Sequence, residues 1–292
     1  TSFRWNALDC TRFSRPDPRT DMARRPKRLR LVTWNINSVR LRLARLADLA
    51  VALEPDVICL QETKVTDVDF PLREVRATGY RHIVIRGEKG YNGVAILSKL
   101  PLARVAETPN WCGKGDCRHL AVDLDIPGAP VRLHNFYVPA GGDIPDRTLN
   151  VKFGHKLDFV AEMRDRFRAD RPGKAILVGD LNIAPREDDV WNHKALLKIV
   201  SHTPVETEGL NDALVAGDWV DVTRNDIPEG RLFSWWSYRS PDWDAADKGR
   251  RLDHIWASRD IAQAAHGSRI LRGVRGWEQP SDHAPVFASF DL

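Results

Sequence analysis

Nine short runs rich in β-branched and aromatic residues dominate the chain: RLRLVTW (28–34), DVICLQ (56–61), YRHIVIR (80–86), GVAILS (93–98), HLAVDLDI (119–126), VRLHNFYV (131–138), AILVGD (175–180), LDHIWAS (252–258) and PVFASF (285–290). Each has the length and composition of a strand, and a strand must bury its apolar face against another layer. A few amphipathic helices lie between them. Leu46, Leu49, Ala50 and Leu53 recur at helical spacing until Pro55 stops them, and Leu157, Val160, Ala161 and Phe167 do the same within 151–169. Many strands with interspersed helices predict two packed sheets covered by helices on the outside. No internal linker rich in Pro, Gly or Ser interrupts the 292 residues, so one domain is expected over 29–292 behind a basic tail of residues 1–28.

The longest apolar runs are far too short to span a bilayer, and the start TSFRWNALDC lacks the apolar core of a signal peptide. A soluble cytoplasmic protein is therefore expected. Residues 1–30 hold nine Lys or Arg against three Asp, so the net charge of +4 hides a globular part that is not basic. Arg24, Arg25, Lys27, Arg28 and Arg30 supply most of the tail's charge; Met22 just before them reads as a translation start, with residues 1–21 as an upstream extension. The cluster is expected to be a solvated arm, with nucleic-acid contact as the alternative. Cys10, Cys59, Cys112 and Cys117 are too few for a disulfide scaffold and match no usual zinc spacing. Free thiols are expected, with residues 113–116 as a hairpin loop between Cys112 and Cys117.

Polar residues collect where the strand-like runs end. Thr33-Trp34-Asn35-Ile36-Asn37 closes the first, Gln61-Glu62-Thr63 the second, Asn135-Phe136-Tyr137-Val138-Pro139 a later one and Gly179-Asp180-Leu181-Asn182 the next. Arg251-Leu252-Asp253-His254 and Ser281-Asp282-His283-Ala284-Pro285 stand at strand starts. Loops at one end of a sandwich cluster, so these distant segments can build one cleft. In an extended chain residues i and i+2 share a face, which puts Asp180 and Asn182 in reach of one common atom. Taken singly, each residue has an ordinary explanation: Glu62 as a helix cap, Asp180 with Asn182 as an Asx turn, His283 as a hydrogen-bonded loop residue, Tyr137 as core. Taken together, carboxylates and carboxamides at strand ends suit Mg²⁺ or Mn²⁺, which bind one or two carboxylates plus phosphate oxygens. An Asp, an Asn and a His around one phosphate suit phosphodiester hydrolysis, where water must be positioned and developing charge neutralised.

The motifs NIN (35–37), QETK (61–64), GVAILSK (93–99), NFYVPAGG (135–142), GDLNIAP (179–185), FSWWSYR (233–239), RLDHIW (251–256) and SDHAPV (281–286), in this order, resemble the exonuclease III branch of the endonuclease/exonuclease/phosphatase superfamily. The resemblance implies an α+β, DNase I-like fold: a four-layer αββα sandwich of two mixed β-sheets flanked by helices. It implies a Mg²⁺-dependent abasic-site endonuclease of base-excision repair, with Mn²⁺ as a substitute, acting on double-stranded DNA that carries abasic sites or blocked 3′ ends. Incision falls 5′ to the abasic site, with 3′-phosphodiesterase and some 3′→5′ exonuclease activity beside it. A monomer associated with the nucleoid through DNA is expected, with no membrane partner. The alternatives are a 3′→5′ exonuclease or 3′-end-repair enzyme, a phosphoesterase for other substrates, and a non-catalytic DNA-binding relative.

Carried over by motif, Glu62 is the main metal ligand with Asn35 and Asn37 beside it. Asp180 orients or deprotonates the attacking water with help from Asn182, and Tyr137 holds the scissile phosphate. His283, paired with Asp253, donates to a phosphate oxygen, and Asp282 lies in the same shell. A second metal would draw on Asp180, Asn182, Asp282 and His283. Trp235, Tyr238 and Arg118 are the expected substrate contacts. By alternation one of Trp235 and Trp236 belongs to the core, and Trp235 best matches the aromatic residue of a sugar pocket. Ala140 departs from the pattern, since relatives often place Asn or Gln after YVP.

Overall fold

The computed structural model describes residues 28–126 and 130–292. The expected start at Met22, the tail cluster up to Lys27 and Cys10 lie outside the described residues. Arg28 does not belong to the tail: it opens the first strand, and its Nε donates to Asp291 Oδ1 at 3.1 Å.

The strands are β1 (Arg28–Asn35), β2 (Val57–Gln61), β3 (His82–Glu88), β4 (Tyr91–Ser98), β5 (Leu102–Val105), β6 (His119–Leu124), β7 (Val131–Tyr137), β8 (Ala175–Asp180), β9 (Trp219–Asp221), β10 (Trp235–Trp236), β11 (Gly249–Arg250), β12 (Asp253–Ser258), β13 (Ala265–Ile270) and β14 (Val286–Asp291). One sheet runs β13-β14-β1-β2-β4-β3 and the other β5-β6-β7-β8-β12-β9; β10 and β11 pair separately. Both large sheets are mixed, because β1–β2 and β7–β8 are parallel and their remaining pairings antiparallel. Helices α1 (Leu43–Leu53) and α2 (Leu72–Ala77) cover the first sheet. Helices α3 (Val151–Ala169), α4 (His193–Leu196) and α5 (Pro204–Ala216) follow in the chain, and α3 and α5 cover the second sheet. This is the four-layer αββα sandwich.

Alternation along each strand decides what meets what. In β1, Leu29 and Leu31 face the other sheet while Val32 and Trp34 face the helices; β2 divides Val57 and Cys59 from Ile58 and Leu60 in the same way. In β7 and β8, Leu133, Tyr137, Ile176 and Val178 point inward, whereas Phe136, Ala175 and Leu177 point to α3. The same parity places Asn35, Gln61, Asn135, Tyr137 and Asp180 on the inner faces, at one end of the inter-sheet core. The register puts Asn35 opposite Gln61, and Asp180 opposite both Tyr137 and Asp253. Gly179 is forced by this packing: its φ is +145°, and a Cβ there would stand 1.9 Å from the Phe136 carbonyl oxygen of β7.

Two expectations fail locally. Residues 113–116 are not a tight hairpin loop; they belong to a long connection from β5 to β6 that includes a 3₁₀ turn at Trp111–Gly113. Three edge strands, β5, β9 and β13, also went unpredicted, because short edge strands need no buried alternating face. Cys59, Cys112 and Cys117 are free thiols. Among the described residues no helix is long and apolar enough to cross a membrane.

Candidate active site

The end of the cleft is built from both sheets, and hydrogen bonds lock the two together beneath it. Gln61 Nε2 donates to Asn135 Oδ1 at 2.7 Å, while Asn135 Nδ2 donates to the Leu60 and Ala95 carbonyls at 3.0 Å each. Above this strap, Asn35 Nδ2 donates to Glu62 Oε1 and to Asp180 Oδ2, both at 2.9 Å, so one carboxamide spans the sheets. Tyr137 Oη donates to the same Glu62 oxygen at 2.9 Å. Glu62 takes its position from the backbone: it follows β2 with φ +51°, a left-handed conformation unusual for glutamate.

The carboxylates here are held in different states. Burial works against ionisation of Glu62, but Lys64 and the Asn35 amide prevail and keep it below the usual carboxylate range. Asp282 is likewise lowered against its burial, by His283 and by donors from Asn37 Nδ2 and Trp235 Nε1 at 2.9 Å each. Asp180 is different: burial pushes it up to about 7, with His283 pulling the other way. His283 Nδ1 lies 2.8 Å from Asp253 Oδ2 and its Nε2 lies 3.7 Å from Asp180 Oδ2. Burial opposes the positive charge, yet Asp253 and Asp180 outweigh it and lift His283 to about 10. His283 is thus an imidazolium near neutral pH, a donor rather than a base. Ser234 Oγ steadies Asp253 by donating to Oδ2 at 2.7 Å.

Two groups of side chains offer donor atoms to a cation. Asp180, Asp253 and His283 bring one ligand atom each within 4.8 Å of the others. With both ring nitrogens protonated, His283 has no lone pair to give, so this trio reads as an imidazolium between two carboxylates. The second group is Glu62 and Asn37. There the Lys64 ammonium sits 2.7 Å from Glu62 Oε2 and 2.5 Å from Asn37 Oδ1, occupying the kind of place a divalent cation would take. Oxygen donors already holding a positive charge, in a partly open position, fit a hard divalent metal.

The remaining expected residues are placed as follows. Asn182 does not share an extended face with Asp180. The chain turns after β8, Asn182 has φ +53°, and its backbone N–H donates to Asp180 Oδ1 at 2.9 Å, an Asx turn. Its Nδ2 then donates to Asp180 Oδ2 at 3.1 Å and to the Val138 carbonyl at 2.8 Å, so Asn182 orients Asp180 instead of reaching for the same atom. Trp236 is buried and Trp235 half-buried at the cleft, as alternation predicts. Tyr238 stands exposed at the rim, bonded to the Pro280 carbonyl and to Arg42. Arg118, expected as a substrate contact, is buried; its guanidinium lies 4.8 Å from the Tyr137 ring centroid and pairs with Asp116, so it supports Tyr137 from behind.

Sequence reasoning passed over Lys64 and Ser234, although both lie inside motifs it used. It also passed over Lys156, which has a signal of its own: a lysine between Phe153 and Phe159 on the buried face of α3. Lys156 Nζ is fully buried, pairs with Glu206 Oε1 at 2.5 Å and donates to the carbonyls of Asn182 at 2.8 Å and Ala140 at 3.3 Å. It ties the loops after β7 and β8 together. A double substitution, Lys156→Met with Glu206→Gln, removes both charges and so leaves no unpaired buried ion, but the Asn182 and Ala140 carbonyls lose their donor; global stability should fall by about 1–3 kcal/mol. Incision in single-turnover assays should still fall about tenfold or more, because the Asn182 turn loses its donor. A variant that melts early in urea yet cuts normally would make the pair purely structural.

A phosphate ester suits this cleft well: His283 and Tyr137 can donate to its non-bridging oxygens, and Asp180 can take a proton from water. Fold and site thus define a phosphoester hydrolase. The chain belongs to the endonuclease/exonuclease/phosphatase family, which matches residues 32–283. It is 32% identical over 279 residues to exodeoxyribonuclease III of Haemophilus influenzae, covering 90% of this chain and all of that protein. It is 27% identical over 281 residues to the DNA repair nuclease APEX1 of Danio rerio, covering 93% of this chain and 85% of that protein. Among solved structures, an AP endonuclease from Archaeoglobus fulgidus superimposes with a TM-score of 0.83 at 30% identity, and a 3′ phosphatase from Neisseria bound to a product DNA hairpin with 0.82 at 32%. Both alignments cover 90% of this chain and the whole of the other.

Proposed function

We propose that this chain is a Mg²⁺-dependent abasic-site endonuclease that hydrolyses the phosphodiester 5′ to the lesion in duplex DNA, with 3′-phosphodiesterase and some 3′→5′ exonuclease activity. The observation that carries this reading is the pairing of a buried Asp180, poised near neutrality, with the His283 imidazolium across one cleft. Glu62, with Asn35 and Asn37, would hold Mg²⁺ or Mn²⁺, which neutralises charge on the phosphate when bound. Asp180 accepts the proton of the attacking water, His283 and Tyr137 donate to phosphate oxygens, and Asn35 and Asn182 fix the Asp180 carboxylate. The bacterial relatives support a cytoplasmic location at the nucleoid.

The assay is gel-resolved cleavage of duplexes carrying an abasic site, a recessed 3′ end or neither, with and without Mg²⁺. Metal-dependent incision of the abasic duplex that outpaces digestion of the recessed end supports the proposal; digestion of the recessed end alone would make the chain a 3′-end enzyme, the reading favoured by the Neisseria relative.

Trp235 is the aromatic wall of the proposed sugar pocket. Its indole N–H donates to Asp282, and the Arg250 guanidinium lies 5.3 Å from its ring centroid. Trp235→Ala should cut discrimination between abasic and intact duplex by about 1–3 kcal/mol, the range of a lost stacking contact. Equal losses on abasic DNA and on a flexible phosphodiester would show instead that the ring serves to hold Asp282.

A further inference from the structure

Trp235 stands in the middle of a row of three residues. On one edge β10 pairs with β11, where Trp235 lies opposite Arg250; on the other edge a single bridge sets Trp235 opposite His283. Residues opposed on paired strands point their side chains to the same face, so His283, Trp235 and Arg250 rise side by side. Two strand spacings put the backbones of His283 and Arg250 about 10 Å apart, with the indole between them. The Arg250 guanidinium lies over that ring, 5.3 Å from its centroid. Such a span suits one deoxyribose that carries a phosphate on either side.

Arg250 is a fixed cation without an anion. Its Nη1 donates to the Val200 carbonyl at 2.9 Å and to Ser201 Oγ at 2.7 Å, which anchors the half-buried guanidinium to the loop at 200–201. Among the described residues its buried Nε has no hydrogen-bond partner, Nη2 makes no bond, and no carboxylate lies within ion-pair distance. Burial disfavours the charge and Glu206 opposes this, but Glu206 is already paired with Lys156 at 2.5 Å. The arginines deeper in the same region are matched, since Arg224 and Arg251 share Asp189. An arginine stays protonated even when partly buried, and a cation with unused donors is costly to hold there. Those donors fit an oxyanion supplied from outside the chain, and a guanidinium fork favours phosphate.

In the reaction proposed above, His283 donates to the scissile phosphate on the 5′ side of the abasic sugar, and the sugar lies against Trp235. The position beyond Trp235 then falls to the phosphate on the 3′ side of that sugar. We propose that Arg250 holds this second phosphate and so makes the enzyme prefer an abasic sugar within a DNA strand to one at a 3′ end, where that phosphate is missing. This role rests on the abasic-site reading and makes Arg250 a specificity-determining residue within it.

Two duplexes of equal length test it: one with a continuous abasic strand, and one nicked just 3′ to the abasic sugar, with hydroxyls on both sides of the nick, so that only this phosphate is absent. Affinity is measured against salt in metal-free buffer, and kcat/KM with Mg²⁺, for wild type, Arg250→Met, Arg250→Lys and Ser201→Ala. On the continuous strand Arg250→Met should lower kcat/KM about tenfold or more, as for a lost hydrogen bond between charged groups. It should also flatten the log-log salt dependence of binding by about 0.9, the value of one phosphate contact. On the nicked duplex it should do neither, because the guanidinium and the phosphate take part in one interaction and their losses do not add. Arg250→Lys keeps the charge and should keep the wild-type salt slope. Ser201→Ala loosens the anchor without touching the charge and should keep it too. The proposal is overturned if Arg250→Met weakens both duplexes equally, if its salt slope is that of wild type, or if Ser201→Ala reproduces the whole defect. Should Arg250→Met fail to fold, wild type still decides: equal salt slopes and equal kcat/KM on the two duplexes overturn the contact. A wild type that binds the continuous abasic duplex without cutting it would count against the nuclease reading, while the salt slopes would still decide the role of Arg250.

Discussion

Asp180→Asn is expected to slow single-turnover incision by about 10²–10⁴-fold, the usual contribution of a general base. The structure makes this substitution harsher than its shape suggests. Every hydrogen bond at the Asp180 carboxylate is one it accepts, from the Asn182 backbone, Asn35 Nδ2 and Asn182 Nδ2. A carboxamide must point an NH₂ group at one of these donors, so misplacement adds to the lost base and the effect should lie toward the upper end. In the wild type, kcat/KM should rise with pH through about 7 as Asp180 loses its proton, and fall near 10 as His283 does. The acid limb should vanish in the variant. DNA affinity should hold or tighten, since a carboxylate near a phosphate repels it. If added Mg²⁺ or Mn²⁺ restored Asp180→Asn, Asp180 would be chiefly a ligand. His283 could then take over water activation only if its proton were lost, and the pH profile would move to the alkaline side.

Glu62→Gln should fail in the opposite way. It removes the charge that Lys64 and the proposed cation share, and it leaves Tyr137 and Asn35 donating to a neutral amide. At limiting Mg²⁺ the rate should drop by about 10²–10³-fold, consistent with a metal contribution of several kcal/mol. Half-saturation by metal should rise at least about tenfold, a shift that even substitutions outside the ligand shell produce. Excess Mg²⁺ or Mn²⁺ should recover much of the rate. A metal titration of incision for both variants separates the roles, and a Glu62→Gln protein with wild-type metal dependence would move the cation elsewhere in the cleft, with Asp282 the next carboxylate to test.

The interior of the fold was legible because its central strands are buried on both faces or alternate cleanly, as in Ile176, Val178 and Leu177 of β8. Edge strands such as β5, with mostly exposed LARV, carry no such pattern. Much of the cleft was legible too, because its polar residues sit at strand ends where an apolar run stops. Backbone reversals were not: nothing in Glu62 or Asn182 as residue types announces a left-handed conformation, and the shared-face argument for Asp180 and Asn182 failed there. Arg118 was misplaced because a lone arginine gives no sign of whether its guanidinium meets solvent or an internal carboxylate. The proton state of His283 was legible from its pairing with Asp253, which favours the imidazolium; that of Asp180 was out of reach, since it depends on how deeply the carboxylate is buried.

The first sheet has a temporal consequence. Among the described residues its β1 is the earliest strand, and it pairs along Arg28–Thr33 with β14, the latest. Asp282 and His283 lie just ahead of β14. A ribosome making this protein releases Glu62 and Asp180 long before the imidazolium that completes the cleft or the strand that lies beside β1. Chains fold from the N-terminus as they emerge, so a nascent or prematurely ended product holds an unfinished site and cannot cut. Cleavage is withheld until translation has passed His283 and β14.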